Sequence, residues 1–191
     1  MREPSQPSRK LKVDLEVLGM AFEDATGPVR YHLDLETGEV VPVAEDILEV
    51  LNSVYAELEE AGEDDENVPG IKFHKALERR GLPLWLSQAV KEAYQVENDL
   101  DGRYVLVEKA NSSEGCRDMD EFIQTVQDQQ ARERLKDAIG GPAAFRGFKY
   151  VLGRYPGERE RWFRFKDARL QERILEWLRG IGIEPEELHH Y

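Results

Sequence analysis

The densest run of chemistry-bearing side chains lies near the end of the chain. Between residues 146 and 179, ten Lys and Arg stand against five Asp and Glu, a local balance of 10 − 5 = +5. Aromatic residues are interleaved with them: Phe145, Phe148, Tyr150, Tyr155, Trp162, Phe163 and Phe165, with Trp177 further on. Guanidinium groups favour planar partners such as carboxylates, phosphates and aromatic faces. Arg and large aromatics together are also the side chains that dominate protein-binding surfaces. The candidate binding residues are therefore Arg146, Lys149, Arg161, Trp162, Arg164, Phe165 and Arg169. The same set suits a single-stranded nucleic acid, bound by charge and base stacking. A structural use competes with both. Phe145, Phe148, Phe163 and Trp177 stand at core spacing, and Arg159, Arg161 and Arg169 can pair with acids of the same chain. Trp162 and Phe165, three residues apart and beside the main apolar stripe, are expected to be buried and to dock the last helix against a sheet.

Other chemistry is thinner. Cys116 stands beside Arg117, which would favour its thiolate, in what reads as a polar loop. An incidental surface cysteine is the simpler reading. Asp34 and Glu36 fall on one strand face with His32 and could do acid–base work. On a hairpin, such groups usually form the wet face. His32, His74, His189 and His190 include no His-x-x-x-His pair and have no second cysteine to join. Glu63-Asp-Asp-Glu66 lacks the alternation and glycine of a calcium loop. No nucleophile elbow and no glycine-rich phosphate loop occurs. Gly140-Gly141 with Arg146 could hold an anion on helix N–H groups, but Pro142 removes one donor. A joint between two helices is preferred there. No catalytic residue, metal or cofactor is assigned.

These residues need elements to position them. Residues 1–10 read as a frayed tail, followed by a short helix over 11–23. Val29 to Leu35, the turn at Thr37-Gly38 and Val40 to Val43 read as a β-hairpin, with Tyr31, Leu33 and Leu35 on one face and Arg30, His32 and Asp34 on the other. Ile47, Val50, Leu51, Val54, Tyr55 and Leu58 mark an amphipathic helix over 44–60. Shorter helices are predicted over 71–80 and 83–96, and a third strand over 103–108, added to the hairpin. Asn111 to Gly115 reads as a loop. From Asp118 onward every period is helical. Pro142 suits the first position of a helix facing inward with Phe145, Phe148, Val151 and Leu152. A long final helix then buries Phe163, Leu170, Ile174, Trp177, Leu178 and Ile181, and Gly182 stops it. The fold class is α+β: a small three-stranded antiparallel sheet packed with a mainly helical remainder and an all-helical C-terminal half. One domain is expected over 11–185, its sheet-containing part at 11–110 and its helical part at 117–183, with a tail at 186–191.

Composition narrows the function classes. The chain has 191 residues and a net charge of −13. Removing the basic stretch leaves −13 − 5 = −18 on the rest, and Glu45 to Glu66 contains ten acids and no Lys or Arg. Such a charge repels phosphate backbones and anionic membranes at long range, which disfavours nucleic acid as the partner. One cysteine excludes an internal disulfide framework and suits a reducing compartment. No leader peptide and no membrane span is read from the sequence, so a cytoplasmic location is expected.

Several segments together resemble an uncharacterised protein family of bacteria, number 0158. They are Tyr31–Val40 (YHLDLETGEV), Asp118–Val126 (DMDEFIQTV), Ala138–Lys149 (AIGGPAAFRGFK), Tyr155–Lys166 (YPGERERWFRFK) and Glu176–Ile183 (EWLRGIGI). The chain departs from that pattern at Pro142, where a basic residue is expected, and in a longer acidic loop near 60–67. The resemblance supports the fold reading and implies no activity, cofactor or substrate. The function read from the residues is a non-catalytic cytosolic interaction module that binds a protein partner through its C-terminal helices. The alternatives are a nucleic-acid or polyanion binder on the same surface and a small enzyme using the hairpin residues.

Overall fold

In the computed structural model, residues 9–24, 27–62, 70–109, 112–141 and 143–186 are described. They form two compact units. One comprises 11–14 and 26–107 and carries the main sheet; the other comprises 1–10, 15–25 and 108–191 and is mainly helical.

In the sheet unit, β2 (Arg30–Asp34) pairs antiparallel with β3 (Val40–Val43) on one side and β4 (Tyr104–Leu106) on the other, giving the order β3-β2-β4. Strand β1 (Arg9–Leu11) belongs to a second, two-stranded sheet. The register places Arg30 opposite Val43 and His32 opposite Val41, and Asp34 opposite Tyr104. Directly opposed residues project from the same face of a sheet. Val41, Val43 and Tyr104 pack into the core made with α2 (Glu45–Glu60), α3 (Ile71–Arg79) and α4 (Leu84–Glu97). His32 and Asp34 therefore sit on a helix-covered face and are buried. This corrects the expectation of a wet face. Leu33, on the opposite face, is also fully buried, so the central part of this strand is covered on both faces. The helical core is centred on Phe73, whose ring stacks on Tyr94 at 4.0 Å. Arg80 closes the α2–α3 contact, donating to the Ser53 carbonyl at 2.8 Å and to Glu57 Oε2 at 2.9 Å.

The hairpin turn depends on Gly38. Its N–H donates to the Asp34 carbonyl at 2.8 Å, and its φ is +79°. A Cβ there would lie 2.0 Å from the Lys12 carbonyl oxygen. Glycine is required both by the left-handed backbone and by the close approach of that carbonyl.

The helical unit contains α1 (Leu15–Glu23), α5 (Ser112–Thr125), α6 (Gln129–Ile139), α7 (Ala144–Leu152) and α8 (Pro156–Gly180). Its core gathers Met119, Phe122, Ile123, Leu135, Phe148 and Leu152. Asp128 starts α6 by accepting the Ala131 N–H at 3.0 Å. The first half of α8 turns Trp162 and Phe165 into this core. The second half buries Ile174 and Leu178 and sets Trp177 edge-on to Phe22 of α1 at 5.6 Å. A 25-residue helix rotates its apolar side along its length as it changes neighbours.

Four expectations are corrected here. The first helix begins at Leu15, because Arg9–Leu11 form a strand, β1, paired with β5 (Ile183–Pro185) in a two-stranded sheet. The C-terminal half is thus not wholly helical. Helix α5 begins at Ser112, where a loop was expected: Ser-Ser-Glu is also helix-start chemistry, with Glu114 complementing the dipole in the first turn. Phe145 and Phe163 are exposed, at 44% and 50%. Trp162 and Phe165 pack on helices of their own unit rather than on a sheet. Pro142 and the 63–66 acids lie outside the described residues. Among the described residues, no helix is long and apolar enough to cross a membrane.

Candidate functional site

The seven candidate residues divide into an anchored group and an open group. Trp162 is half-buried and makes edge contacts with Phe148 at 4.7 Å and Phe122 at 5.2 Å. Phe165 lies 5.7 Å from Phe122 and 6.0 Å from Trp162. Each such pair adds about 0.5–1.5 kcal/mol beyond burial, so these rings serve the core first. Arg161 pairs with Glu158 at 2.6 Å and reaches back to α5, donating to the Thr125 carbonyl and hydroxyl at 3.1 Å. Arg169 pairs with Glu121 of α5 and with Glu172, and lies over the Phe165 ring at 5.4 Å. These four side chains tie α8 to α5 and α7.

Arg146, Lys149 and Arg164 are different. All three are exposed and make no ion pair among the described residues. Helix α7 presents Phe145, Arg146, Lys149 and Tyr150 outward, because only Phe148 and Leu152 of its nine residues are buried. The corner at 153–155 carries Arg154, whose guanidinium lies 4.7 Å from the Tyr150 ring centre. On the first half of α8, Arg159 lies 5.7 Å from the Phe163 ring. The open surface thus holds unpaired cations beside aromatics, two of which are already covered by arginines of the same chain.

Two further arrangements lie outside the seven candidate residues. Asp118, buried at 4% exposure, holds Arg173 Nη2 at 2.5 Å. That pair lies beside a cleft of about 230 Å³ walled by Phe22, Glu114, Arg173, Glu176 and Trp177. A helical period would place Asp118 on the Phe122 side of α5, but nothing in sequence names its partner. In the sheet unit, Lys72, Lys75 and Arg79 line a groove along α3; their spacing of three and four is visible in the sequence.

The hairpin residues form a closed arrangement. Asp34 accepts from Arg103 Nε at 2.8 Å and Nη2 at 2.5 Å, and from the Glu36 N–H at 2.8 Å. Burial raises its carboxyl pKa, but the Arg103, Glu36 and Thr37 contacts outweigh that and hold it below the ordinary value. Arg103 also pairs with Glu36 at 2.8 Å and has its own pKa raised, chiefly by Asp34. His32 is 7% exposed, and its Nδ1 has no hydrogen-bond partner among the described residues. Burial, and then the Arg30 charge, lower its pKa; Glu97, paired with Arg30 at 2.7 Å, partly offsets them. His32 and Asp34 share a face, yet Asp34 is saturated and His32 sealed. Cys116 is exposed on α5. Among the described residues, no three His, Cys, Asp or Glu side chains come together as a metal site.

The family match covers the end of the sheet unit and most of the helical unit. Residues 87–187 match the sequence profile of an uncharacterised protein family, UPF0158. The chain belongs to this family. Within UPF0158, it is 29% identical over 90 residues to UPF0158 protein PA5073 of Pseudomonas aeruginosa, covering 47% of this chain and 58% of that protein. The chain thus spans less than two thirds of that relative's length. No solved structure matches. The UPF0158 span contains all seven candidate binding residues, while the hairpin segment Tyr31–Val40 lies outside it.

Proposed function

We propose that this protein is a cytoplasmic, non-catalytic interaction module that receives an acidic segment of a protein partner on α7 and the first half of α8. One observation carries the reading: in a chain of net charge −13, Arg146, Lys149 and Arg164 stand exposed and unpaired among the described residues beside exposed aromatics. Exposed cations left without intramolecular partners contribute little to stability. Their use is in recognition, where charge steers the partner and aromatics supply contact area. Protein is favoured over nucleic acid because Tyr150 and Phe163 are already covered by Arg154 and Arg159 instead of offering bare faces to bases.

The test is fluorescence anisotropy with two labelled probes, a poly-glutamate peptide and a mixed-sequence single-stranded RNA, at low and moderate salt. The peptide is expected to bind, to weaken with salt, and to be lost in Lys149→Glu/Arg164→Glu. Tighter binding of RNA, abolished by the same variant, would transfer the surface to the polyanion reading. Binding of neither probe at low salt would remove both.

A further inference from the structure

We propose that the cleft walled by α1, α5 and α8 binds a free α-amino acid with an apolar side chain, its carboxylate on Arg173 and its ammonium on Glu176. This is a separate site from the α7–α8 surface and does not rest on the interaction reading.

The cleft holds about 230 Å³, and every residue that walls it belongs to the helical unit. Drug-sized ligands occupy pockets of about 300–1,000 Å³, so this one suits a smaller molecule. Its apolar wall is Phe22 and Trp177, whose rings meet edge-on. Its polar wall is set by α8. Arg173, Glu176 and Trp177 stand at i, i+3 and i+4, so they share one face of that helix. Arg173 and Glu176 do not pair with each other, and Glu176 is exposed without an ion pair among the described residues. Arg173 is held from behind by the buried Asp118, which accepts from Nη2. A guanidinium carries five N–H donors, so the fork keeps others to offer a ligand.

The charges around the cleft select the class of ligand. Glu108, Glu114 and Glu176 stand against Lys109 and Arg173, and Asp118 already balances Arg173. That surplus of carboxylates opposes a simple anion, and the Arg173 guanidinium opposes a simple amine. A zwitterion answers both. Its carboxylate accepts from the Arg173 fork in planar geometry. Its ammonium donates to Glu176 one turn along, where side chains on a shared helix face have Cβ atoms about 5–6 Å apart. The two charged groups of an α-amino acid are bonded to one carbon, which suits so short a span. An apolar side chain then lies against Phe22 and Trp177 and leaves water there. A molecule with only one of the two charges strands either Arg173 or Glu176 without a partner.

The experiment is isothermal titration calorimetry of the full chain with L-leucine as the probe. One saturable site is expected, with a Kd of about 1 mM or tighter. Three analogues dissect it: 4-methylpentanoate lacks the amine, 3-methylbutylamine lacks the carboxylate, and glycine lacks the apolar side chain. Each is expected to bind about tenfold more weakly or worse. Glu176→Gln changes an exposed side chain and keeps the fold; it is expected to weaken leucine by about tenfold or more. Arg173→Lys keeps a cation opposite Asp118 but loses the planar fork, and a similar loss is expected with native helix content by circular dichroism. Absence of saturable leucine binding would overturn the inference. So would a single-charge analogue that binds as tightly as leucine, or leucine binding that either folded variant leaves unchanged. If Arg173→Lys fails to fold, Glu176→Gln and the analogues decide the question.

Discussion

Asp34 in the sheet unit and Asp118 in the helical unit are both sealed from solvent, at 3% and 4% exposure, and each meets an arginine. They are held differently. Asp34 accepts two bonds from Arg103 and others from the backbone of its own turn. Among the described residues, Asp118 accepts one bond, from Arg173, which also walls a cleft. A carboxylate has room for about four hydrogen bonds. The first is thus a finished structural joint, locking a hairpin to the neighbouring strand. The second retains acceptor capacity and fixes a guanidinium where solvent reaches it. Burial alone does not separate structural from available groups; the count of satisfied lone pairs does.

The contrast can be broken at its strongest point with Gly38→Ala. The new Cβ would collide with the Lys12 carbonyl at a backbone angle alanine avoids. A loss of at least about 3 kcal/mol in urea unfolding is expected, drawn from strain and a lost turn bond. Asp34→Ala should come next, at about 2–3 kcal/mol, because it strands Arg103 and the Glu36 N–H; Arg103 is a third exposed, which tempers the cost. Asp118→Ala should cost less, about 1.5–2 kcal/mol, since one bond is lost and Arg173 can turn to water. Equal losses at Asp34 and Asp118 would contradict the distinction drawn between them.

A pH profile sharpens the same point. His32 has a lowered pKa in the folded protein, so the unfolded chain takes up the proton first and stability falls as pH drops below about 6.5. Asp34 also has a lowered pKa, so its contribution is complete above the ordinary carboxylate value, begins to fall as pH drops through that value and is gone once pH has passed the folded one. Thermal melts of His32→Gln should lack the decline just below pH 6.5 and keep the acid decline. If the first decline persists in that variant, His32 is not its source. The smallest effect is expected at the open surface: Lys149→Glu/Arg164→Glu should change stability by no more than about 0.5 kcal/mol, while abolishing binding of an acidic probe.

Much of this fold was legible in the sequence because it is written in local periods. The hairpin, helix α2 and the stop of α8 at Gly182 all rest on spacing and on glycine, whose φ at 182 is +76°. The family was legible as well, from the segments of α5 to α8, which lie in the matched span. Among the candidate residues, the sequence marked Arg161 and Arg169 as able to pair within the chain and Trp162 and Phe165 as expected to be buried, but it could not name the partners that hold them.

What the sequence determined by itself is therefore the α+β class, the charge asymmetry and most element boundaries, because propensity, capping and hydrophobic period act between residues a few positions apart. Only the tertiary structure decided which polar groups are consumed inside the fold. His32 and Asp34 alternate like a solvated strand face, yet helices cover them. Arg161 and Arg169 could serve either a surface or the fold, and the packing of α8 on α5 gives them Thr125 and Glu121. Arg173 and Asp118 lie 55 positions apart and meet in the fold. Pairings over such distances depend on how elements pack, and no local period carries that information.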